Sequence, residues 1–130
     1  MTTETDQQVL TAMGLRLFQL YALFGSPTAS WDIDSEATTS ALGEHVEFLR
    51  KLEADGVMFM GGPFRAPDYE WDGSGVIFVR ARSLAHAREL AERDPLFRHG
   101  LRSYDVRGFQ LNEGRLVLTV DLDSNRVGIA

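Results

Sequence analysis

Two ionisable side chains occupy positions where the sequence predicts apolar packing, one at each of two predicted helices. In the segment ALGEHVEFLRKLEADG (residues 41–56), a rotation of about 100° per residue places His45 in the middle of the apolar face. In the segment SLAHARELAERDP (residues 83–95), Asp94 shares the face of the leucines and alanines. Burial of an unpaired charge is costly, and a carboxylate that accepts the ring N–H of a histidine satisfies both groups and fixes the tautomer. Such a pair is suited to general acid or base chemistry.

The same two residues also have a purely structural interpretation. A single histidine on an apolar face is usually a core residue with its hydrogen bonds satisfied, and an aspartate before a proline usually caps a helix or forms a turn. Perturbed ionisable groups cluster at active sites but also occur in structural networks. Spacing alone therefore leaves both a functional and a structural pairing of His45 with Asp94 open.

The composition limits the classes of function. A chain of 130 residues that is 44% hydrophobic and 25% charged predicts one globular domain, which we place at 15–122 between a flexible leader at 1–14 and a tail at 123–130. The net charge of -6 argues against a nucleic-acid partner, since such binding depends on lysine and arginine. No apolar run is long enough to span a bilayer and the N-terminus lacks a secretory pattern, so we expect a cytoplasmic protein without a membrane partner.

Metal and cofactor sites are not predicted. The chain has no cysteine, which excludes disulfides and thiolate ligands. His86 and His99 share no ligand spacing with His45, and neither GGPF nor DGSG is followed by the lysine or helix start of a phosphate-binding loop.

The order of predicted elements indicates the fold. A polar turn separates most of them, and Ser35 or Asp34, Gly56 and Ser83 supply helix-capping signals. The elements are a strand at 15–24, a helix to about 54, strands at 57–64 and 76–82, a helix between Ser83 and Pro95, a strand at 102–111 and a further strand at 115–122. This β-α-β-β-α-β order with an added strand is typical of the α+β ferredoxin-like plan, in which two helices pack side by side on one face of an antiparallel sheet.

The opposite face of that sheet also needs a cover. The first three strands carry apolar residues at both parities, which predicts burial on both faces. Because 130 residues leave no third layer, a second copy is the simplest cover, and we predict a homodimer through the sheet face. The strand at 115–122 alternates in polarity, which predicts an ordered edge strand with one buried face, or a strand that crosses to the partner subunit.

Four further residues are candidates for lining a ligand pocket: Tyr21 on the first strand, Arg65 in the long loop before the third strand, and Arg102 and Tyr104 on the fourth. Tyr69 and Trp71 lie in the same loop as Arg65. The arginines suit a carboxylate or phenolate ligand. For each residue the alternative is an ordinary place in the core or on the surface.

The segments HVEFLRKLEADGVMFMGGPF and GSGVIFVRARSLAHARELAERDPLFRHGLRSYDVRGFQ resemble the YCII-related family of small bacterial proteins over roughly residues 15–111. The resemblance implies a dimeric α+β barrel of ferredoxin-like protomers, with a His-Asp pair proposed as the active site. By position that pair is His45 and Asp94. Some relatives and neighbouring barrel families are dehydrochlorinases or muconolactone-type isomerases. The leader, the long loop and the added strand depart from shorter members, so the resemblance does not carry the substrate.

Two hypotheses from different classes follow. In the first, the chain is a small lyase or isomerase without a cofactor, in which His45, oriented by Asp94, acts as general base or acid on a small organic anion. In the second, it is a noncatalytic dimeric ligand-binding or interaction module and the pair is a structural hydrogen bond. A solvent-accessible cleft beside His45 favours the first hypothesis, and a sealed pair favours the second.

Overall fold

The computed structural model describes residues 18–68, 70–115, 117–121 and 126–129. The predicted leader at 1–14 and the first residues of the predicted first strand lie outside this part of the chain. The elements are β1 (Phe18–Pro27), α1 (Glu36–Ala54), β2 (Met58–Pro63), β3 (Gly75–Val79), α2 (Leu84–Glu92), α3 (Pro95–Arg98), β4 (Arg102–Leu111), β5 (Leu118–Asp121) and β6 (Arg126–Ile129).

The first four strands form one antiparallel sheet in the order β2-β3-β1-β4. Strand β1 is central and pairs along its whole length with β4, from Phe18 opposite Leu111 to Pro27 opposite Arg102. This strand order, with helices after β1 and β3, confirms the predicted ferredoxin-like α+β fold. Within the described residues, no helix is long and apolar enough to cross a membrane.

The helix boundaries follow from local capping. The Ser35 hydroxyl accepts a hydrogen bond from the Thr38 amide at the start of α1, and Gly56 after its end has a φ of 72°. The Ser83 hydroxyl accepts from the His86 amide at the start of α2. The second helix ends at Glu92, and the chain then forms the short helix α3, which the sequence analysis did not predict.

The helices pack on one face of the sheet. On that face Tyr21, Leu23, Ile77 and Val79 form the main core with residues of α1 and α2. The cross-strand register places Phe24, Phe78 and Phe109 on the other face, where the rings of Phe78 and Phe109 lie 4.9 Å apart between centroids. Phe109 is 40% exposed and Phe64, which stacks on Phe24, is 47% exposed. The apolar residues at both strand parities therefore correspond to a helix-covered face and an aromatic face.

The C-terminal part differs from the prediction in its pairing. The strand predicted at 115–122 is shorter, and β5 pairs antiparallel with β6 in a two-stranded sheet of its own, so it does not extend the four-stranded sheet. A hairpin can form here because β6 lies only a few residues after β5. The predicted burial of one face of this strand lies outside the side chains that the structure describes.

Candidate active site

Asp94 lies at the junction between α2 and α3. Pro95, which follows it, occupies the first turn of α3 and disfavours helical dihedrals at the preceding residue, and Asp94 has an extended backbone with φ -61° and ψ 126°. In this conformation Oδ1 of Asp94 accepts a hydrogen bond of 3.0 Å from the Leu96 amide as the N-cap of α3. The residue is fully buried. Asp94 is therefore a helix cap, as its sequence context suggests, and its carboxylate is held by the backbone.

His45 reaches the same carboxylate from α1. Its Nδ1 lies 2.7 Å from Oδ1 of Asp94, and the histidine is 8% exposed. An ionised carboxylate can only accept hydrogen bonds, so Nδ1 carries a proton and donates it. In the neutral ring the lone pair is then on Nε2. No protein group in the described part of the chain hydrogen-bonds Nε2, and Nε2 is not among the fully buried atoms without a partner there.

The second oxygen of Asp94 is also occupied. The Tyr104 hydroxyl on β4 donates a hydrogen bond to Oδ2. Arg102, two residues earlier on the same strand, donates from Nη1 to the Tyr104 oxygen at 3.2 Å and lies 3.9 Å from Oδ2 of Asp94. The carboxylate is therefore shared by a histidine, a tyrosine and a backbone amide, with a guanidinium beside it.

This network decides the ionisation of two of its members. Burial acts to raise the pKa of Asp94, but the hydrogen bonds from His45, Tyr104 and Leu96 and the charge of His45 outweigh it, so the pKa of Asp94 lies below its ordinary value. Burial, and then the negative charge of Asp94, raise the pKa of the Tyr104 phenol well above its ordinary value. At neutral pH the pair is thus a carboxylate that accepts from a protonated phenol.

Arg102 is buried, with 5% of its surface exposed, and its contacts hold it in a fixed position. Its Nη2 donates to the Gly73 carbonyl at 2.6 Å. On the adjacent strand Gly25 leaves room for it, since a Cβ at Gly25 would lie 2.5 Å from Cδ of Arg102. Its Nε has no acceptor among the described residues. The guanidinium therefore keeps unused donor capacity in a buried place.

A pocket of about 410 Å³ lies between α1 and the β2–β3 side of the sheet. His45 and Arg102 both border it, so the histidine is accessible from a cleft and is not sealed. Most of its wall is apolar, and a stretch of glycine backbone on β2 and β3 forms part of the opposite side. Its lining comprises Leu42, His45, Val46, Leu49, Met58, Gly61, Gly62, Pro63, Arg65, Trp71, Gly75, Val76, Ile77 and Arg102.

The loop at 64–74 contributes Arg65 and Trp71 to the pocket lining. Its two ends are joined by a hydrogen bond from the Phe64 amide to the Ser74 carbonyl, which also accepts from the Trp71 indole at 2.8 Å. The Trp71 ring meets Trp31 edge-on at 5.3 Å, and the Arg65 guanidinium lies 6.0 Å from the Trp71 ring. These contacts and the bond from Arg102 to the Gly73 carbonyl hold the described residues of the loop, 64–68 and 70–74, in a defined arrangement.

The predicted site residues separate into three groups. His45, Arg65 and Arg102 border the pocket, with Asp94 directly behind His45. Tyr104 contacts Asp94 and is not part of the pocket lining, while Tyr21 lies in the hydrophobic core. Tyr69 lies outside the described residues.

The other two histidines hydrogen-bond to residues outside this network. His86 accepts a hydrogen bond from the Arg82 amide, and His99 pairs with Glu44 at the surface. Among the residues that the structure describes, no group of three or more histidine, aspartate or glutamate side chains could hold a metal ion.

Two contributors to the site were not predicted from the sequence. One is Gly25, which gives Arg102 its space, and the other is the Gly73 carbonyl, which orients the guanidinium. Gly73 has a φ of 98°, a left-handed backbone conformation that favours glycine. The contact between Arg102 and the Gly73 carbonyl depends on the register of β4, so the sequence around either residue does not predict it.

Comparisons with known proteins agree with this fold. None of the curated proteins matches the chain. A solved structure of 5-chloro-2-hydroxyhydroquinone dehydrochlorinase from Burkholderia phenoliruptrix AC1100, in complex with 2,5-dihydroxybenzoquinone, is similar with a TM-score of 0.54 and 18% identity, over 68% of this chain and 90% of that chain. At this identity the likeness concerns the fold. The YCII-related domain matches residues 19–110, which include every residue of the site described above, and the chain therefore belongs to the YCII-related family.

Proposed function

We propose that this chain is a small enzyme that needs no cofactor and uses His45 as a general base and acid, oriented by Asp94, in a lyase or isomerase reaction. The observation that carries the proposal is the 2.7 Å contact of Nδ1 of His45 with a fully buried Asp94, in a histidine that borders a pocket of about 410 Å³. The contact leaves Nε2 as the basic atom on the accessible edge of the ring.

The accessibility of His45 favours this function over a purely structural role of the pair. A histidine with only a structural role in the core needs no adjoining cleft, and a cleft lowers the stability of the fold because the residues that line it lose packing contacts. The carboxylate behind His45 stabilises the charged ring that forms when Nε2 accepts a proton. A base with such a partner can remove a proton from a bound molecule and return it to another atom of that molecule or of a leaving group.

The pocket walls support a compact ligand with an apolar body and at least one anionic or acidic oxygen. Leu42, Val46, Leu49 and Trp71 surround the body, and Arg65 and Arg102 supply positive charge at the wall. The similar solved structure carries the name of a dehydrochlorinase and holds a dihydroxylated quinone. By analogy, we propose an elimination or isomerisation on a hydroxylated ring compound. In an elimination of this kind, at two adjacent saturated carbons of the ring or of its keto tautomer, the base takes a proton from one carbon, the electron pair of the broken C–H bond forms the double bond, and chloride leaves the other carbon with the electron pair of the C–Cl bond.

The assembly that we propose is a homodimer through the aromatic sheet face. Phe64, Phe78 and Phe109 make this face apolar, and Phe64 and Phe109 are exposed in the single chain. A second copy of the same face would remove these rings from water, with a gain of about 25 cal/mol for each Å² buried.

The test is a turnover screen with chlorinated and hydroxylated ring compounds, followed by chloride release and absorbance. His45→Gln, which keeps a polar side chain of similar length, is expected to abolish most turnover. His99→Gln is the matched control, since His99 is exposed and pairs only with Glu44 among described residues. Equal loss in both variants, or full turnover in His45→Gln, would reject the proposal and leave the ligand-binding module as the better account.

A further inference from the structure

Arg102 and His45 border the same pocket and contact the same buried carboxylate, directly or at short range. Arg102 lies 3.9 Å from Oδ2 of Asp94, and His45 lies 2.7 Å from Oδ1. An arginine carries five N–H donors, and two of those of Arg102 have acceptors in the described part of the chain, the Gly73 carbonyl and the Tyr104 oxygen. A buried cation with unused donors beside a pocket is a natural place for an anionic oxygen.

The charges of the site indicate which ligands it accepts. The charges of Asp94 and Arg102 cancel, so with a neutral His45 the buried site has no net charge. A permanently charged anion would leave one negative charge unbalanced among these groups. A neutral acidic ligand that transfers its proton to Nε2 of His45 leaves two opposite new charges, the ligand anion and the imidazolium, and the total stays zero.

Of the other ionisable groups near His45, Arg65 adds a positive charge that water and salt screen because the residue is exposed, and the others named here are paired or neutral. Glu44 and Glu47 on the same helix are paired at the surface with His99 and Arg50. Tyr104 on β4 donates to Asp94 and is neutral. Arg65, in the loop at 64–74, is exposed and stacks near Trp71 at the rim of the pocket.

We propose that the pocket binds weakly acidic phenols and enols as an anion plus a proton, with the anionic oxygen on the Nη hydrogens of Arg102 that the Gly73 carbonyl and the Tyr104 oxygen do not use, and the proton on Nε2 of His45. The proposal rests on the proposed function in one respect, the accessibility of Nε2 to a ligand. The ligand class and the recognition of the anion by Arg102 are additional to that function. One proton stays in the site for each anion bound. In this step an O–H bond of the ligand breaks, its electron pair stays on oxygen, and an N–H bond forms on His45.

The probe is 4-nitrophenol, because its phenolate absorbs visible light and the phenol does not. At a pH about one unit below the pKa of the free phenol, roughly nine-tenths of the free probe is protonated. We expect the bound probe to show the phenolate spectrum at this pH. We expect 4-nitroanisole, which has the same body and no acidic proton, to bind at least about 10-fold more weakly, since it forgoes a charge-assisted hydrogen bond.

Two variants and two controls test the assignment of atoms. Arg102→Gln is expected to weaken binding of 4-nitrophenol by about 10- to 100-fold and to return the spectrum of the bound probe to the phenol form. His45→Gln is expected to remove the phenolate spectrum because the proton has no acceptor. Arg50→Gln and His99→Gln alter surface ion pairs of the same residue types and should leave the spectrum unchanged.

Because Arg102 also donates a hydrogen bond to the Gly73 carbonyl, its replacement can disturb folding. Circular dichroism therefore checks that each variant is folded, and Arg102→Lys serves as a second variant. If Arg102→Gln is not folded, the lysine variant, which keeps one charge but not the planar donor set, should bind the probe as phenolate with reduced affinity. A bound probe that stays in the phenol form in the wild type overturns the inference, as does a phenolate spectrum that survives in folded Arg102→Gln.

The two proposals fail in distinguishable ways. Phenolate binding by wild type without turnover of any ring compound would reject the enzymatic function and keep the ligand assignment. Turnover that depends on His45, combined with a bound probe in the phenol form, would keep the enzymatic function and reject the ligand assignment.

Discussion

The hydroxyl of Tyr104 donates a hydrogen bond to the oxygen of Asp94 that His45 does not use. The two oxygens therefore have separate roles, one shared between the imidazole and the Leu96 amide and the other held by the phenol. Because three hydrogen bonds hold the carboxylate, the orientation of the His45 ring is fixed before any ligand arrives.

The first prediction concerns the ionisation of Tyr104. Burial and the charge of Asp94 raise the pKa of its phenol, so it should stay protonated at about pH 11, where ordinary tyrosines with a pKa of 10.0 ionise. The chain has three tyrosines and Tyr104→Phe has two. We expect equal phenolate absorbance for the two proteins at about pH 11 while both remain folded. A larger signal in the wild type, equal to one extra phenolate, would show that Tyr104 ionises normally.

The second prediction is that His45 and Asp94 act as one unit in turnover. His45→Ala and Asp94→Asn should each remove most of kcat/KM for a substrate found in the screen, and the double variant should lose little more than either single variant, because each change already removes the oriented base. Single-variant losses that multiply in the double variant would show that the residues act independently.

Stability should respond in a different order from turnover. His45→Ala next to an open pocket should lower the free energy of unfolding by no more than about 1 to 2 kcal/mol. Asp94→Ala should lower the free energy of unfolding by more, about 3 kcal/mol, since it removes the cap of α3 and leaves the donors of His45 and Tyr104 without an acceptor. Severe destabilisation by His45→Ala with unchanged ligand binding in the folded fraction would instead support the structural interpretation of the pair.

A fourth prediction concerns stability in acid. The pKa of Asp94 is lower in the folded than in the unfolded chain, where it has its ordinary value near 3.8, so the unfolded chain binds more protons between the two values. The stabilisation from the ionised carboxylate is complete above pH 3.8 and declines as the pH falls through the lower, folded value. In urea titrations, the stability difference between wild type and Asp94→Asn should therefore shrink as the pH is lowered through this range. A pH-independent difference would contradict the lowered pKa.

The fifth prediction concerns assembly. The wild type should be a dimer at micromolar concentration, and Phe109→Glu, which places a charge on the aromatic sheet face, should give monomers by light scattering. Ile33→Glu is the matched control, because Ile33 is 44% exposed and lies in the loop between β1 and α1, outside the strands of the sheet. A wild type that is monomeric at micromolar concentration would defeat the proposal of a dimer.

The position of the pair in the fold could be predicted because it depends on helical periodicity and element order. His45 falls on the apolar face of α1, and Asp94 falls at the end of α2, so a plan with adjacent helices brings them together. The role of Asp94 as cap of α3 was harder to predict, since the one-turn helix Pro95–Arg98 is too short to show helical periodicity.

The composition of the pocket wall could be predicted only in part. Strand parity places Tyr21 on the helix-covered face, but its place in the core follows from the central position of β1, whereas the pocket lies toward β2 and β3. Lateral strand order is a property of the whole fold and has no signature near Tyr21. The space for Arg102 likewise depends on the β1–β4 register, which sets Gly25 opposite Tyr104.

The glycine backbone in the pocket wall limits how this scaffold can change the size of its ligand. A methyl group at Gly75 would meet the Gly62 carbonyl at 2.8 Å, and one at Gly61 would meet the Val76 carbonyl at 3.2 Å, whereas at Gly62 it would meet nothing within 4 Å. Gly62 lies opposite Val76 and Val76 opposite Phe24, so a side chain at Gly62 would project from the aromatic sheet face and not into the pocket. A lineage therefore has to change ligand size through the side chains of α1 and of the loop at 64–74 that line the pocket, and the sheet wall stays constant.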